Sequence, residues 1–210
     1  MLEQRISQEL RQLVDPGCYL DSPEDLVNYS YDAYLPEARP DAVLLPLSTE
    51  QVASVMRVAH RESISVTPRG AGTNIVGGSV PVRGGLVLCF TKMNRILEIH
   101  PEDRYAVVEP GVVNGDFQKA VAAYGLFYPP DPASLNVSTI GGNVAENAGG
   151  PRGVKYGVTR DYLLGLTVVL ADGRVIHTGG KTTKNVTGYD LIQLLIGSEG
   201  TLAVVTKSVF

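Results

Sequence analysis

Apolar residues recur at helical spacing at the start of the chain. Leu2, Ile6, Leu10 and Leu13 share one face, and Gly17 stands where that helix would end. Ser22 followed by Pro23 reads as an N-cap and a first-turn proline, predicting a short helix through Asp25 to Asn28. The pattern then changes to continuous apolar runs. AVLLP, Ala42 to Pro46, predicts a buried strand, and ISVT, Ile64 to Thr67, predicts a second. Between them Ser48 and Gln51 form a capping box, opening a helix that turns Val52, Val55, Met56 and Ala59 inward. This strand–helix–strand start predicts a small parallel sheet covered by helices.

Further along, GLVLCF, RILEIH and YAVVEP read as three short strands in succession, the last closed by Pro110-Gly111. A helix follows from about Asn114 to Tyr124, with Phe117, Val121 and Ala122 inward and Gly125 at its end. The tract YPPDPASLNVSTIGGNVAENAGGPRGVKYG, Tyr128 to Gly157, carries too little apolar content to be core. LLGLTVVLADGRVIHTGG is a hairpin joined at Asp172-Gly173. GYDLIQLLIGSEG predicts a helix ending in glycine, and TLAVVTKSVF a last strand. There is no internal repeat and no linker-like shift in composition. A strand-like run that reaches Phe210 without a turn or polar tail is expected of a piece of a longer protein, or of one subunit of something larger.

Composition narrows the classes. With 210 residues, 44% hydrophobic and 19% charged, the chain is an ordinary globular one. A net charge of -4 disfavours nucleic acid as a partner, since phosphate binding wants a basic face. The N-terminus MLEQRISQELRQL is charged and unlike a signal peptide, and no apolar run approaches the ~18 residues of a membrane span. Cys18 and Cys89 lack metal-ligand spacing and read as free thiols of a reducing compartment. Glycine is the unusual residue: there are 23, and they cluster.

PRGAGTNIVGG, Pro68 to Gly78, follows an apolar strand directly. A loop that wraps backbone N–H groups around an anion needs glycines at positive φ and no Cβ in the way. Gly70 and Gly72 supply this, Thr73 and Asn74 offer side-chain donors, and Arg69 either adds charge or points away. The dinucleotide fingerprint fails for want of a third glycine in register, and a P-loop fails for want of Gly-Lys-Ser/Thr. On this loop alone, a pyrophosphate cradle and a ligand-free connection both remain open. A second cluster, Pro129 to Gly150, sets Ser134, Ser138, Thr139, Asn143 and Asn147 among glycines and prolines; a third is GSEGTLAVV, Gly197 to Val205. Buried loop backbone must find hydrogen-bond partners, and these tracts have few side chains to provide them. Three such tracts on one body point to a large ligand lying along the fold.

PRGAGTNIVGGSVPV, PPDPAS with STIGGNVAENAGG, LTVVLADG, TGYDL and GSEGTLAVVT, in this order, resemble flavoenzymes of the vanillyl-alcohol-oxidase type, the PCMH-type FAD-binding domains. The resemblance is to their D-2-hydroxyacid dehydrogenase branch, the FAD subunit of bacterial glycolate oxidase and its D-lactate dehydrogenase relatives. It covers about Asp41 to Phe210 and implies an α+β fold of two subdomains with FAD between them, without the C-terminal cap domain. The implied division is a helical lead-in over 1–40, a first subdomain over about 41–82 and a five-stranded second subdomain over about 83–210. By the same resemblance, Pro68, Arg69, Gly70, Ala71, Gly72, Thr73, Asn74, Gly77 and Gly78 hold the pyrophosphate. Pro132, Ser138, Thr139, Gly142, Asn143 and Ala145 line the flavin and ribityl chain, and Glu199, Gly200 and Val205 meet the adenosine half through backbone groups.

Relatives that attach flavin covalently often carry a histidine near the position of Thr73. Here His60, His100 and His177 all fall outside the glycine tracts, so noncovalent FAD is expected. The resemblance implies oxidation of a small D-2-hydroxy acid, glycolate or D-lactate, by hydride transfer to FAD, with substrate and metal residues in the cap. No catalytic or metal-ligating residue is assigned within the chain. Lys181, Lys184, Tyr189, Arg152 and Lys155 are expected to be solvated loop residues. The resemblance allows iron–sulfur or other partner subunits, and a cytoplasmic protein that reaches the inner membrane only through them. An alternative is a non-catalytic FAD-carrying subunit whose substrate domain lies on a partner chain.

Overall fold

The computed structural model describes residues 2–210. Helix α1 (Gln4–Gln12) buries Ile6 and Leu10, the face set by the apolar spacing. Strand β1 (Tyr19–Leu20) follows, then α2 (Pro23–Val27), whose N-cap Ser22 accepts from the N–H of Asp25. Next come β2 (Ala42–Leu44), α3 (Thr49–Arg61), β3 (Val66–Arg69) and β4 (Leu86–Cys89). At the start of α3 the capping is shared differently from a capping box. Ser48 Oγ accepts from Gln51 N at 3.3 Å, while Gln51 Oε1 accepts from Leu47 N at 2.8 Å, one residue before the cap.

These strands form a sheet in the order β1-β2-β4-β3. β2, β4 and β3 are parallel, and β1 joins antiparallel at the edge. Parallel sheets covered on both faces have near-continuous apolar strands, and every residue of β2 and β4 is buried. The pairing shifts the boundary expected from sequence. β4, assigned there to the second unit, runs between β2 and β3, so the first sheet ends at Cys89. The helical lead-in belongs to the same body, because Ile6, Leu10, Val14 and Leu26 share one core with Val43, Val55 and Leu88.

The second unit holds β5 (Ile96–His100), β6 (Tyr105–Val108), α4 (Asn114–Ala122), α5 (Ile140–Glu146), α6 (Gly153–Tyr156), β7 (Gly165–Val169), β8 (Val175–Gly179), α7 (Leu191–Leu195) and β9 (Val204–Val209). Its five-stranded sheet runs β5-β6-β9-β7-β8 and is antiparallel throughout. The β7–β8 hairpin closes as the sequence predicts, with Val169 opposite Val175 and Gly173 at φ +82° in the turn. Phe117 and Val121 of α4 and Ile140 and Val144 of α5 pack on the inner face of this sheet.

Helix α5 overturns the expectation that the tract from Tyr128 to Gly157 contributes no core. Ile140 and Val144, one turn apart, are completely buried, and Tyr128 is buried beside them. The paired glycines within α5 lower its intrinsic helix propensity and hide it from a pattern reading. Packing explains the first of them: a Cβ on Gly141 would lie 2.6 Å from Pro110 Cβ. The helix expected across 188–200 shrinks to the five residues of α7, none of them buried.

The two units pack directly together. Val169 and Val204, at the ends of β7 and β9, belong to the first core, and Thr49 Oγ1 lies 3.0 Å from Thr206 Oγ1. Among the described residues no helix is long and apolar enough to cross a membrane.

Candidate functional site

A crevice of about 580 Å³ runs between the two units, and all three glycine tracts line it. Every residue singled out from sequence lies on its wall except Gly77, which stands just outside, at φ +78° beside Tyr34. Phe90, Pro110 and Leu195, together with Ala203 and Val204 of the third tract, supply an apolar wall. Sequence reading passed these over because they look like ordinary strand ends and loop residues.

The first tract leaves the carboxyl end of β3, where parallel sheets bind their ligands. Strand β3 runs two residues further than predicted, so Pro68 and Arg69 close the strand and the glycines begin at its tip. Arg69 does not reach into the crevice with its charge. Its side chain folds beneath the loop, leaving the residue 7% exposed. There Nη1 donates to Tyr31 O at 2.6 Å and approaches Ser79 O and Oγ at 3.4 Å. Burial pulls its pKa below the ordinary arginine value, against the nearby Asp32 carboxylate. Gly72, at φ +70°, lies directly over this guanidinium, and a Cβ there would be 2.6 Å from Arg69 Cζ.

Asn74 is also engaged within the loop. Its Nδ2 donates to Ser79 Oγ at 2.8 Å, and its Oδ1 accepts from the N–H groups of Val76 and Gly78. The backbone is what remains free. Among the described residues, none of the N–H groups from Gly70 to Ile75 donates to another group. A run of unengaged N–H groups on a glycine-rich turn is an anion-binding concavity.

The second tract faces this loop. Thr139 caps α5, its Oγ1 accepting from Gly142 N at 3.4 Å, and it packs so closely on Gly70 that any Cβ there would collide with the hydroxyl. Ser138 Oγ and Asn143 Nδ2 are buried without a hydrogen-bond partner, in residues only 4% and 3% exposed. Buried polar groups left unpaired are costly, so both want an external partner.

The third tract is pinned to the end of α5. Gly197 N donates to Val144 O and Glu199 N to Ala145 O, each at 3.0 Å. Gly200, at φ +74°, brings the tract against the first loop, with Pro68 Cγ 2.9 Å from where a Cβ would stand. Two carboxylates, Glu146 and Glu199, line this end. The Glu146 carboxyl is held above the usual carboxylate range by burial first, then by Glu199 and Asp32. Sequence reading missed Glu146 because it stands among small residues in a tract taken to be loop.

The loop residues expected to be solvated lie outside the crevice. Lys181 pairs with Glu98 at 2.6 Å over the Tyr105 ring, Arg152 pairs with Asp131 at 3.4 Å, and Lys155 lies over Tyr156. Lys184 is exposed, and Tyr189 lines a separate cavity of about 260 Å³ formed by residues 182–193 with the β7–β8 edge. No histidine lines the crevice. His177 Nδ1 is 2.9 Å from Thr167 Oγ1, His100 stacks on Tyr105, and His60 lies in the last turn of α3. Among the described residues, no cluster of three or more His, Cys, Asp or Glu has the geometry to hold a metal ion.

A family described as "FAD binding domain" matches residues 40–179. The chain belongs to the PCMH-type FAD-binding domains. This domain is 49% identical over 210 residues to the glycolate oxidase subunit GlcD of Bacillus subtilis (strain 168), covering 100% of the chain and 45% of that protein. It is 44% identical over 185 residues to a D-lactate dehydrogenase of Archaeoglobus fulgidus, covering 86% of the chain and 41% of the relative. A D-2-hydroxyglutarate dehydrogenase of Stutzerimonas stutzeri is 39% identical over 211 residues, covering 99% of the chain and 45% of the relative. The FAD-binding domain thus spans less than half the length of these relatives. Among solved structures, an alkyldihydroxyacetonephosphate synthase superposes with a TM-score of 0.88 at 25% identity, covering 100% of the chain and 40% of that structure. p-Cresol methylhydroxylase with substrate bound gives 0.79 at 26%, covering 98% and 42%.

The cofactor of this domain is FAD, and the residues present suit it. An elongated dinucleotide needs an anion cradle, polar partners and an apolar wall in one groove. The free N–H groups of residues 70–75, the unpaired Ser138 and Asn143, and the wall from Phe90 to Val204 provide these in that groove.

Proposed function

We propose that the domain holds noncovalent FAD for a flavin-dependent oxidoreductase acting on a small D-2-hydroxy acid such as glycolate or D-lactate. The observation that carries the cofactor's placement is the run of unengaged N–H groups from Gly70 to Ile75, facing the buried unpaired Ser138 and Asn143. The diphosphate would be held by backbone dipoles rather than by a basic side chain, since Arg69 is turned away. Ser138 Oγ and Asn143 Nδ2 would offer hydrogen bonds to the bound cofactor, and the apolar wall would exclude water from it. Bound flavin supplies hydride-accepting chemistry, while the protein supplies binding, orientation and electrostatics.

The substrate class is supported by the relatives, whose names refer to glycolate, D-lactate and D-2-hydroxyglutarate. Clamping the carboxylate of such a substrate, and taking up its hydroxyl proton, fall to residues outside this domain. One relative is named as a subunit, which supports an assembly with partner chains. The free, buried thiols of Cys18 and Cys89 suit a cytoplasmic setting.

The purified chain is expected to take up FAD with flavin absorbance near ~450 nm, and to release it intact on denaturation, as a noncovalent cofactor must. Protein that stays colourless after FAD is added would overturn the proposal. Flavin that remains attached to the denatured chain would overturn noncovalent attachment.

A further inference from the structure

A dinucleotide diphosphate is anionic, yet the ionisable side chains that remain open to the crevice are acidic. Of the charged residues lining it, Arg69 is buried beneath the loop, which leaves Glu146 and Glu199. The two carboxylates flank Gly78: a Cβ there would be 3.3 Å from Glu199 Oε2 and 3.7 Å from Glu146 Oε1. Glu146 is half-buried and Glu199 exposed, and neither side chain has a hydrogen-bond or ion-pair partner among the described residues.

The surrounding elements do little to neutralise them. From the segment packed over the first loop comes Asp32, 7% exposed, with Oδ1 accepting from Tyr34 N and Oδ2 unpartnered. Residues 70–79 present no charged side chain. Arg69 lies near Asp32 and donates to Tyr31. Arg160 reaches towards Gly197, with Nη2 3.8 Å from a Cβ there.

We propose that the Glu146–Glu199 pair couples FAD binding to proton uptake, with Glu146 carrying the proton in the loaded domain. This rests on the crevice being the FAD site. A third anion brought into the groove favours the neutral form of the more buried carboxyl. Once protonated, Glu146 gains an O–H donor and no longer repels the diphosphate.

Glu146 already leans this way in the free domain, through burial, Glu199 and Asp32. The sign follows from linkage: its pKa is higher in the loaded state than in the free one, so FAD affinity rises as pH falls between the two values. One unit of difference corresponds to a tenfold change.

The test is titration of the chain with FAD, read by flavin fluorescence, at about pH 8 and about pH 5.5, with calorimetry in two buffers of different ionisation enthalpy. The expected result is binding about tenfold tighter at the lower pH, with uptake of up to one proton per FAD. Glu146→Gln should bind at the higher pH as tightly as the unaltered chain does at the lower, and lose the dependence. Glu199→Gln, at an exposed position, should weaken the dependence while keeping the fold.

Equal affinity at both pH values without proton exchange overturns the inference and leaves the FAD site intact. Weaker binding by Glu146→Gln at both pH values overturns it too, since the ionised carboxylate would then be accepting a bond from the cofactor. A dependence that survives undiminished in Glu146→Gln would belong to another group and also contradicts the assignment. Absence of FAD binding at every pH overturns the site and the inference together.

Discussion

Gly72→Val is expected to abolish FAD binding, with a loss of more than ~100-fold, and to lower the unfolding midpoint. The sequence suggests only that a Cβ would block the approach of a phosphate to the backbone. The structure adds a stronger cause beneath the loop. At φ +70° any L side chain is strained, by about 1–2 kcal/mol, and a β-branched one more so. The new Cβ would lie 2.6 Å from Arg69 Cζ, so the buried guanidinium must move. Moving it endangers the 2.6 Å bond to Tyr31 O, and stripping partners from a buried charge costs about 3–5 kcal/mol. The anion cradle from Gly70 to Ile75 rests on that guanidinium. FAD titration with thermal unfolding measures both effects. Affinity within about threefold of the unaltered chain, too little to be a lost cradle, would remove the first loop from the site.

Gly200→Val is expected to weaken FAD binding by about 100-fold with a smaller effect on stability. Gly200 is likewise in the left-handed region, at φ +74°, and its Cβ would stand 2.9 Å from Pro68 Cγ and 3.4 Å from Cδ. The proline ring cannot rotate away, and forcing extra atoms into a close contact costs about 1–3 kcal/mol. The contact joins the third tract to the first, so the strain widens the crevice. Gly200 itself belongs to neither core, so most of the fold should survive. Loss of affinity in a variant with unchanged circular dichroism is the expected pair of results. Unchanged affinity would mean that the third tract only borders the site.

The sequence revealed most of what depends on local pattern. The inward faces of α1 and α3, the Ser22 cap and the Asp172-Gly173 turn all follow from short-range spacing, and the structure contains each. The glycine tracts were visible as composition, and their residues meet at one crevice. What was not legible depends on long-range pairing. Strand β4 joins the first sheet because Leu86–Cys89 finds places on both β2 and β3, which no local signal specifies. Helix α5 was hidden by Gly141 and Gly142, which weaken helix propensity, though Gly141 permits close packing on Pro110. The inward turn of Arg69 depends on Tyr31 and Ser79, 38 and 10 residues away. The acidic end of the crevice appears only when Glu146, Glu199 and Asp32 come together from three parts of the chain.

The most direct measurement is a crystal structure of the chain loaded with FAD. The expected result is one continuous cofactor in the crevice beside Gly72, Gly142 and Gly200, its diphosphate accepting from N–H groups between Gly70 and Ile75 while Arg69 stays folded on Tyr31. FAD seated on any other surface, or a diphosphate held by the Arg69 guanidinium with those N–H groups unused, would contradict it.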